Sequence, residues 1–225
     1  MIQIISYYKY NIKILAKDKI PLIWSVIVPS VFLYLNRQFV YTIKDLRFWW
    51  AYIIISSYIY GVGIYAMTMK ESGTLKTLFS ISNTPFLFFF GNLLTQITYC
   101  VICVSVFNIV AILFFNYPLF IIFYYSIKII LLSIPIAFLG MVLTLFKKIH
   151  VNSLSSLTNI IMMIFFFSIN IDGPLQKLNP IRFYADIILL QTKIELIHYV
   201  ITSLLFISFG VFCIAKFSVI PIDKR

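Results

Sequence analysis

Acidic residues are scarce in this chain: seven Asp and Glu against 18 Lys and Arg in 225 residues. None of the seven lies deep in an apolar run, so the paired intramembrane carboxylates that usually couple protons to transport are missing. Histidine is scarcer still. His150 and His198 are far apart, which leaves no metal-ligand spacing and no relay. The chain has no G-x-x-x-x-G-K-[ST] run to cradle a nucleotide phosphate, no H-E-x-x-H and no G-x-S-x-G. No catalytic residue and no metal ligand is therefore assigned. If the chain moves anything uphill, its energy comes from another chain.

Charge of either sign is also thin, at 11% of residues, while 62% are hydrophobic. A soluble domain holds roughly 25% charged and 45–50% apolar residues. That surplus exceeds any packed core, so the bilayer is the expected solvent. The net charge of +11 sits at the ends of apolar runs, where it sets topology and meets lipid headgroups, and nucleic acid is not an expected partner. Cys100, Cys103 and Cys213 all lie in apolar runs. Cys100 and Cys103 share a helix face and admit a metal or redox pair; small apolar filler is the preferred reading.

What is present is apolar length. Spans need about 20 residues to cross ~30 Å of hydrocarbon. Six are expected: Pro21–Leu35, Trp49–Met69, Phe86–Phe115, Leu119–Phe146, Leu154–Ile171 and Leu196–Phe217. The expected fold is a single all-α integral membrane domain over residues 1–225. Residues 1–19 show no signal-peptide cleavage pattern. Ile4, Ile5, Tyr8, Ile12 and Leu15 recur there at helical spacing, with Lys9, Lys13 and Lys17 elsewhere, which predicts a basic amphipathic helix on an anionic lipid surface. With both termini inside, inner segments carry eleven basic residues, among them Lys9, Lys76 and Lys148, and outer segments carry seven, among them Arg47, Arg182 and Lys128. Lys128 is either an intramembrane site or, with Tyr124 and Tyr125 marking the interface one turn away, a snorkelling side chain; snorkelling is preferred.

Two polar segments interrupt the apolar runs. In "KESGTLKTLFSISNTP", residues 70–85, Leu75, Leu78 and Phe79 make one apolar helical face, Ser72 or Thr74 can cap its start, Glu71 suits its positive end and Pro85 closes it. Physics alone also admits a helix that merely rests on lipid. In the outer segment 172–195, Phe183, Ile187 and Leu190, and likewise Tyr184 and Ile188, sit at helical spacing after the turn residues Asp172-Gly173-Pro174. A short helix or re-entrant pair in the outer interface is expected there. Two stripes remain: Ser56, Tyr60, Gly63 and Met67 in the second span, and Asn159, Met163, Phe166 and Asn170 in the fifth. They line a path or they are packing seams, and packing is preferred.

The "ESGTLKTLF" run, Glu71 to Phe79, resembles the E-x-G-T-L-x-x-L-L signature of ABC-2-type transporter permeases. "NPIRFYAD", carrying Asn179, Pro180, Tyr184 and Asp186, resembles that family's outer segment before the last span. Two features depart from it: Pro85 arrives late, and Gly91-Asn92 stands where a G-K pair often opens the third span. The resemblance implies a cytoplasmic coupling helix built from Glu71, Gly73, Thr74, Leu75, Leu78 and Phe79 that docks on a cytosolic ABC ATPase. It implies a second permease chain, in a homo- or heterodimer, and a bacterial plasma-membrane location with both termini cytoplasmic. ATP and Mg would be held by the ATPase subunit and no cofactor by this chain. An amphipathic peptide or similar hydrophobic cargo, exported or pumped out for self-immunity, is the implied substrate. A non-transporting membrane binder is the alternative.

Overall fold

In the computed structural model of the chain, residues 2–17, 19–81, 84–146, 149–171, 173, 179–189 and 192–217 are described, with the side chains of 2, 19–24, 81 and 170 excepted. Every regular element among them is helical. Four are long and apolar enough to cross a membrane: Ile43–Glu71, Pro85–Phe115, Leu119–Leu145 and Lys193–Ala215. They define an all-helical, membrane-embedded chain. Two more apolar stretches, Ser25–Leu35 and Val151–Phe167, are shorter. The latter has 17 residues and rises about 26 Å, just under the ~30 Å of a hydrocarbon core. The first and fifth of the six expected spans are these short ones.

Helix α1, Ile2–Lys17, packs along α6, Pro85–Phe115. Contact is close because Gly91 has no Cβ; one added there would meet Tyr7 and the Ile4 carbonyl. The inward face differs from the expected stripe. Tyr7 and Asn11 are buried, Ile5 is exposed, and Lys9, Lys13 and Lys17 stay outside. A helix laid on lipid turns its most apolar stripe down, whereas this one packs on protein and turns in an amide that finds a partner.

Helix α2, Lys19–Leu35, carries Pro29 in its interior, which removes one rung of its ladder. The next span is a rod of 29 residues, about 43 Å long. A 3-10 turn over Ile43–Leu46 starts it, closed by Thr42 and Asp45 in a reciprocal cap. Then follow α3, Arg47–Tyr58, a π-helical segment, Ile59–Ile64, and α4, Tyr65–Glu71. After α5, Thr74–Ile81, the 31-residue α6 opens on Pro85 and ends at Asn116, a left-handed residue with φ 52°.

The fourth span is not the single helix expected. It divides at Ser133 into α7, Leu119–Leu132, and α8, Ile134–Gly140, before a 3-10 turn over Met141–Leu145. Pro135 is the cause, since it donates no N–H and crowds the preceding turn. Tyr58 and Tyr199 donate to the carbonyls of Ile130 and Leu132 beside the break, at 3.0 and 2.8 Å. Unpaired carbonyls are costly in a bilayer, so these tyrosines make the break tolerable there. Lys128 is half-buried on α7, one turn past the exposed Tyr124.

Helices α9, Val151–Phe167, α10, Pro180–Asp186, and α11, Lys193–Ala215, are the last α-helices among the described residues. Trp50 donates to Asn108 Oδ1 at 2.7 Å, and Asn108 Nδ2 donates to Ser126 Oγ at 2.9 Å. That buried polar line ties α3, α6 and α7 together at mid-bundle. At the start of the 43 Å rod Arg47 Nε meets Asp186 Oδ1 at 3.0 Å, and at its other end Glu71 meets His150 Nδ1 at 3.0 Å. The rod therefore carries α10 at one end and α5 at the other. His198 rings against Phe183 of α10, so the two histidines lie at opposite ends.

Candidate functional site: an uncharged cavity and the helix junction beside it

A cavity of about 720 Å³ opens among α1, α2, α3–α4, α6 and α9. Its wall holds Asn11, Ile14, Leu15, Ser25, Val28, Tyr52, Ile53, Ser56, Ser57, Tyr60, Gly61, Ile64, Tyr65, Thr68, Asn92, Thr95, Gln96, Tyr99, Asn159 and Met162. None of these carries a carboxylate, an ammonium, a guanidinium or an imidazole.

Sequence places the wall through the π segment. "IYGVGI" holds two glycines and so favours a regular α-helix less than most runs would. Asn92 Nδ2 donates to the Gly61 carbonyl at 2.7 Å, bonding the segment to α6. A Cβ on Gly61 would collide with the Gln96 amide, so this glycine is what lets Gln96 lie in the wall. Two residues on, a Cβ at Gly63 would collide with the Gly140 carbonyl.

Most polar groups of the wall are already used. Ser57, Thr68 and Thr95 donate to carbonyls four residues back, at 2.7, 3.0 and 2.9 Å. Tyr60 donates to Ser155 O at 2.9 Å, and Tyr99 Oη pairs with Ser25 Oγ at 2.9 Å. Tyr65 donates to Asn11 Oδ1 at 2.9 Å. Three buried side-chain atoms of wall residues have no partner among the described residues: Ser56 Oγ, and Asn11 Nδ2 and Asn92 Oδ1, whose residues are only 4% and 1% exposed.

The junction that follows is built on Gly73. Its φ of 75° is left-handed, which ends α4 with Gly73 N–H donating to Lys70 O at 3.2 Å. The Gly73 carbonyl then accepts from Lys76 N–H at 3.0 Å, which starts α5. Ser72 Oγ accepts from Thr74 N–H at 3.4 Å and so caps this start, as expected of it. Glu71 does not sit at the α5 start, where its charge was expected. It is the last residue of α4, and its carboxylate spans to α9, bonding His150 Nδ1 at 3.0 Å and accepting from Val151 N–H at 3.3 Å. The helix-start charge it complements is that of α9.

Leu75 is fully buried and Phe79 is 5% exposed; Leu78 packs on the same core. Phe79 meets Phe88 of α6 and Phe217 at ring separations of 6.0 and 6.3 Å. The apolar face of α5 is thus spent inside this chain. Lys76, Thr77 and Ser80 face outward. Pro85 opens α6 and does not close α5.

Of the expected path residues, Ser56, Tyr60 and Asn159 meet at the cavity. Met67 does not; it packs on Ile64, Val151 and Leu154. Gly63 forms a packing seam with Gly140, and Met163 lies half-exposed on the outer face, with Met162 taking the wall position. Phe166 packs at a tilt against Trp49 and Tyr52, with ring centroids 5.0 and 4.9 Å away. The Asn170 side chain lies outside the described residues, as does Leu190. Asn11, Asn92, Gln96 and Tyr99 were missed. Their signal was there: Asn92 and Gln96 are polar at i, i+4 inside an apolar run, which in a bilayer demands partners.

The short helix expected in the outer segment is α10, and it packs inside the protein. Ile181, Tyr184 and Ala185 of α10 are fully buried, and Asn179 nearly so. Asn179 Oδ1 accepts from the N–H groups of Ile181 and Arg182 at 2.9 and 3.3 Å, and its Nδ2 donates to Phe165 O at 2.7 Å. Pro180 fills the first helical position, where no N–H is needed. Asp186 joins Arg47 and Arg182 at 3.0 and 3.5 Å. Asn179, Pro180 and Asp186 thus cap α10 and tie it to the rest of the protein.

No family model matches the chain, and no curated protein or solved structure matches it either. The class defined by its own residues is an all-helical membrane protein with a cavity lined, among the described residues, by apolar and uncharged polar side chains.

Proposed function

We propose that the chain is the membrane-spanning permease subunit of an ATP-driven exporter of the ABC-2 type. Its cargo is an amphipathic peptide or similar hydrophobic molecule, moved out of the cell by export or for self-immunity. The observation that carries this reading is the α5 junction, a short helix held between the ends of two long apolar ones and linked to both cavity walls. Phe79 touches α6, and Glu71 holds the start of α9. A cytosolic ATPase, with ATP and Mg bound to it, would press on Lys76, Thr77 and Ser80, the face that α5 turns outward. Leu75 and Phe79 would then transmit the push and not receive it. In this reading all six apolar stretches cross the bacterial plasma membrane, both termini share the side of α5, and a second permease chain completes the transporter.

The test pairs co-purification with one variant. The chain should recover an ABC ATPase and stimulate its hydrolysis. Glu71→Arg should insert normally, keep binding the ATPase and lose export, because it removes the α4–α9 tie. Unimpaired export by this variant would overturn the assignment. A second reading, a non-transporting membrane binder, is favoured by the burial of Leu75 and Phe79, which leaves no apolar docking face on α5. It gains if the solubilised chain neither recovers nor stimulates an ATPase.

A further inference from the structure

We propose that the face of α1 carrying Lys9, Lys13 and Lys17 binds the phosphate groups of anionic phospholipid, in the leaflet on the α5 side. The depth of α1 is the first argument. Helix α6 has 31 residues and rises about 46 Å, some 16 Å more than a hydrocarbon core of ~30 Å. Shared between its two ends, that excess is about 8 Å each. Helix α1 meets α6 at Gly91, six residues or about 9 Å past Pro85. That depth is the boundary between acyl chains and headgroups. The end of the molecule is fixed by rings: Phe88 of α6 meets Tyr7 of α1 and Phe79 of α5, each at 6.0 Å.

The sides of α1 are the second argument. At about 100° per residue, the three exposed lysines span some 80° of its surface, turned about 140° from the buried Tyr7 and Asn11. Ile5, 45% exposed, and the half-buried Ile12 lie between those two sides. The helix thus has one side for protein, one for hydrocarbon and one for headgroups, the division an interfacial helix needs. An acidic protein partner would have no use for the apolar edge.

The third argument is that the three ammonium groups are unspent. No acid among the described residues pairs with any of them. Helix α6, on which α1 packs, has no charged residue. Residues 1–19 hold four lysines and one aspartate, Asp18, which leaves a net +3. At the far end of the rod, by contrast, Arg47 is spent on Asp186 and Asp45, and Arg182 on Asp186. Lys44 and Lys193 stay exposed there, but singly and on different elements. The lysines of α1 stand four residues apart, about 6 Å along one helix, and so make a line about 12 Å long. A lysine near an anionic surface gains roughly fivefold in binding, so three gain on the order of a hundredfold. This inference goes beyond the permease reading and does not rest on it.

The test uses the full chain in phosphatidylcholine nanodiscs with no ATPase added. The probe is phosphatidylglycerol, a minor component of the bilayer, with a photoreactive diazirine at the start of one acyl chain. Saturable labelling should map to α1 and the first turns of α6. A phosphatidylcholine probe with the same diazirine should label α1 at least tenfold less, and inorganic phosphate should not displace the lipid probe. Lys9→Gln, Lys13→Gln and Lys17→Gln combined should cut labelling at least tenfold, with thermal unfolding close to the parent chain. Arginine at the same three positions should keep the labelling, and Lys44→Gln with Lys193→Gln should leave it unchanged. The comparison of the two probes needs no variant, so a variant that fails to fold does not remove the test. Equal labelling of α1 by both probes, displacement by phosphate at equal concentration, or an unchanged signal in the triple glutamine variant would overturn the proposal.

Discussion

Gly61 and Gly63 are two residues apart in one π segment, yet they are needed for different reasons. A Cβ on Gly63 meets the Gly140 backbone carbonyl, which cannot swing aside, while a Cβ on Gly61 meets the end of the flexible Gln96 side chain. Gly63→Ala should therefore destabilise the chain by about 1–3 kcal/mol, the usual cost of overpacking, and Gly61→Ala by distinctly less. Thermal unfolding of both variants in one detergent checks the order; equal losses would contradict the packing described. Asn179 offers a second residue-scale test. It caps α10 and bonds back to Phe165 O, so Asn179→Ala removes a cap and the shorter of two hydrogen bonds to that carbonyl, leaving Ser168 Oγ at 3.1 Å. A loss of about 2 kcal/mol or more is expected, against about 1 for an ordinary exposed cap. Unfolding midpoints read it directly.

At the scale of the element, α5 has two faces with opposite expectations. Leu75→Asp would bury a carboxylate among Phe79 and its neighbours and should prevent folding, seen as loss of the monodisperse species. Lys76→Glu changes only the exposed face. It should keep the fold and its unfolding midpoint, while cutting ATPase stimulation at least tenfold if the permease reading holds. The elements themselves were legible in the sequence because their causes are local. Proline and glycine punctuation, the left-handed need at Gly73 and the 3.6 period of Leu75, Leu78 and Phe79 all act within a few residues. What the period could not tell is which apolar face meets protein and which meets lipid, since both solvents accept the same side chains. That is why Tyr7 and Asn11 were passed over for the greasier stripe of Ile4, Ile5 and Tyr8. It is also why the burial of Ile181, Tyr184 and Ala185 on α10 was not legible in the pattern. The carboxylate of Glu71 was legible as a helix-start charge, but its helix is α9, 80 residues further along, and no local pattern carries that pairing.

Across the whole molecule, the rod from Ile43 to Glu71 fixes a direction. Its 29 residues correspond to about 43 Å of helix, and its ends are marked by separate polar contacts, Arg47 with Asp186 and Glu71 with His150. That length exceeds the ~30 Å of a hydrocarbon core and is enough for the two ends to reach opposite interfaces. The candidate site was only half legible at this scale. Ser56, Tyr60 and Asn159 could be picked from their stripes, but a cavity needs five chain segments to converge, and α1 and α6 supply the amides that no single stripe contains. The direction of the rod is open to test, because Cys100, Cys103 and Cys213 are buried and leave a quiet background. Single cysteines at Lys76 on α5 and at Lys193 at the start of α11 are both exposed positions. In sealed vesicles of known orientation, a membrane-impermeant maleimide should label one from the outside and the other only after the vesicles are opened. Basic residues are retained preferentially on the cytoplasmic side, and that bias puts Lys76 inside and Lys193 outside. Labelling of both from one face would break the rod argument, and with it the assignment of α5 as the element that an ATPase in the cytosol could reach.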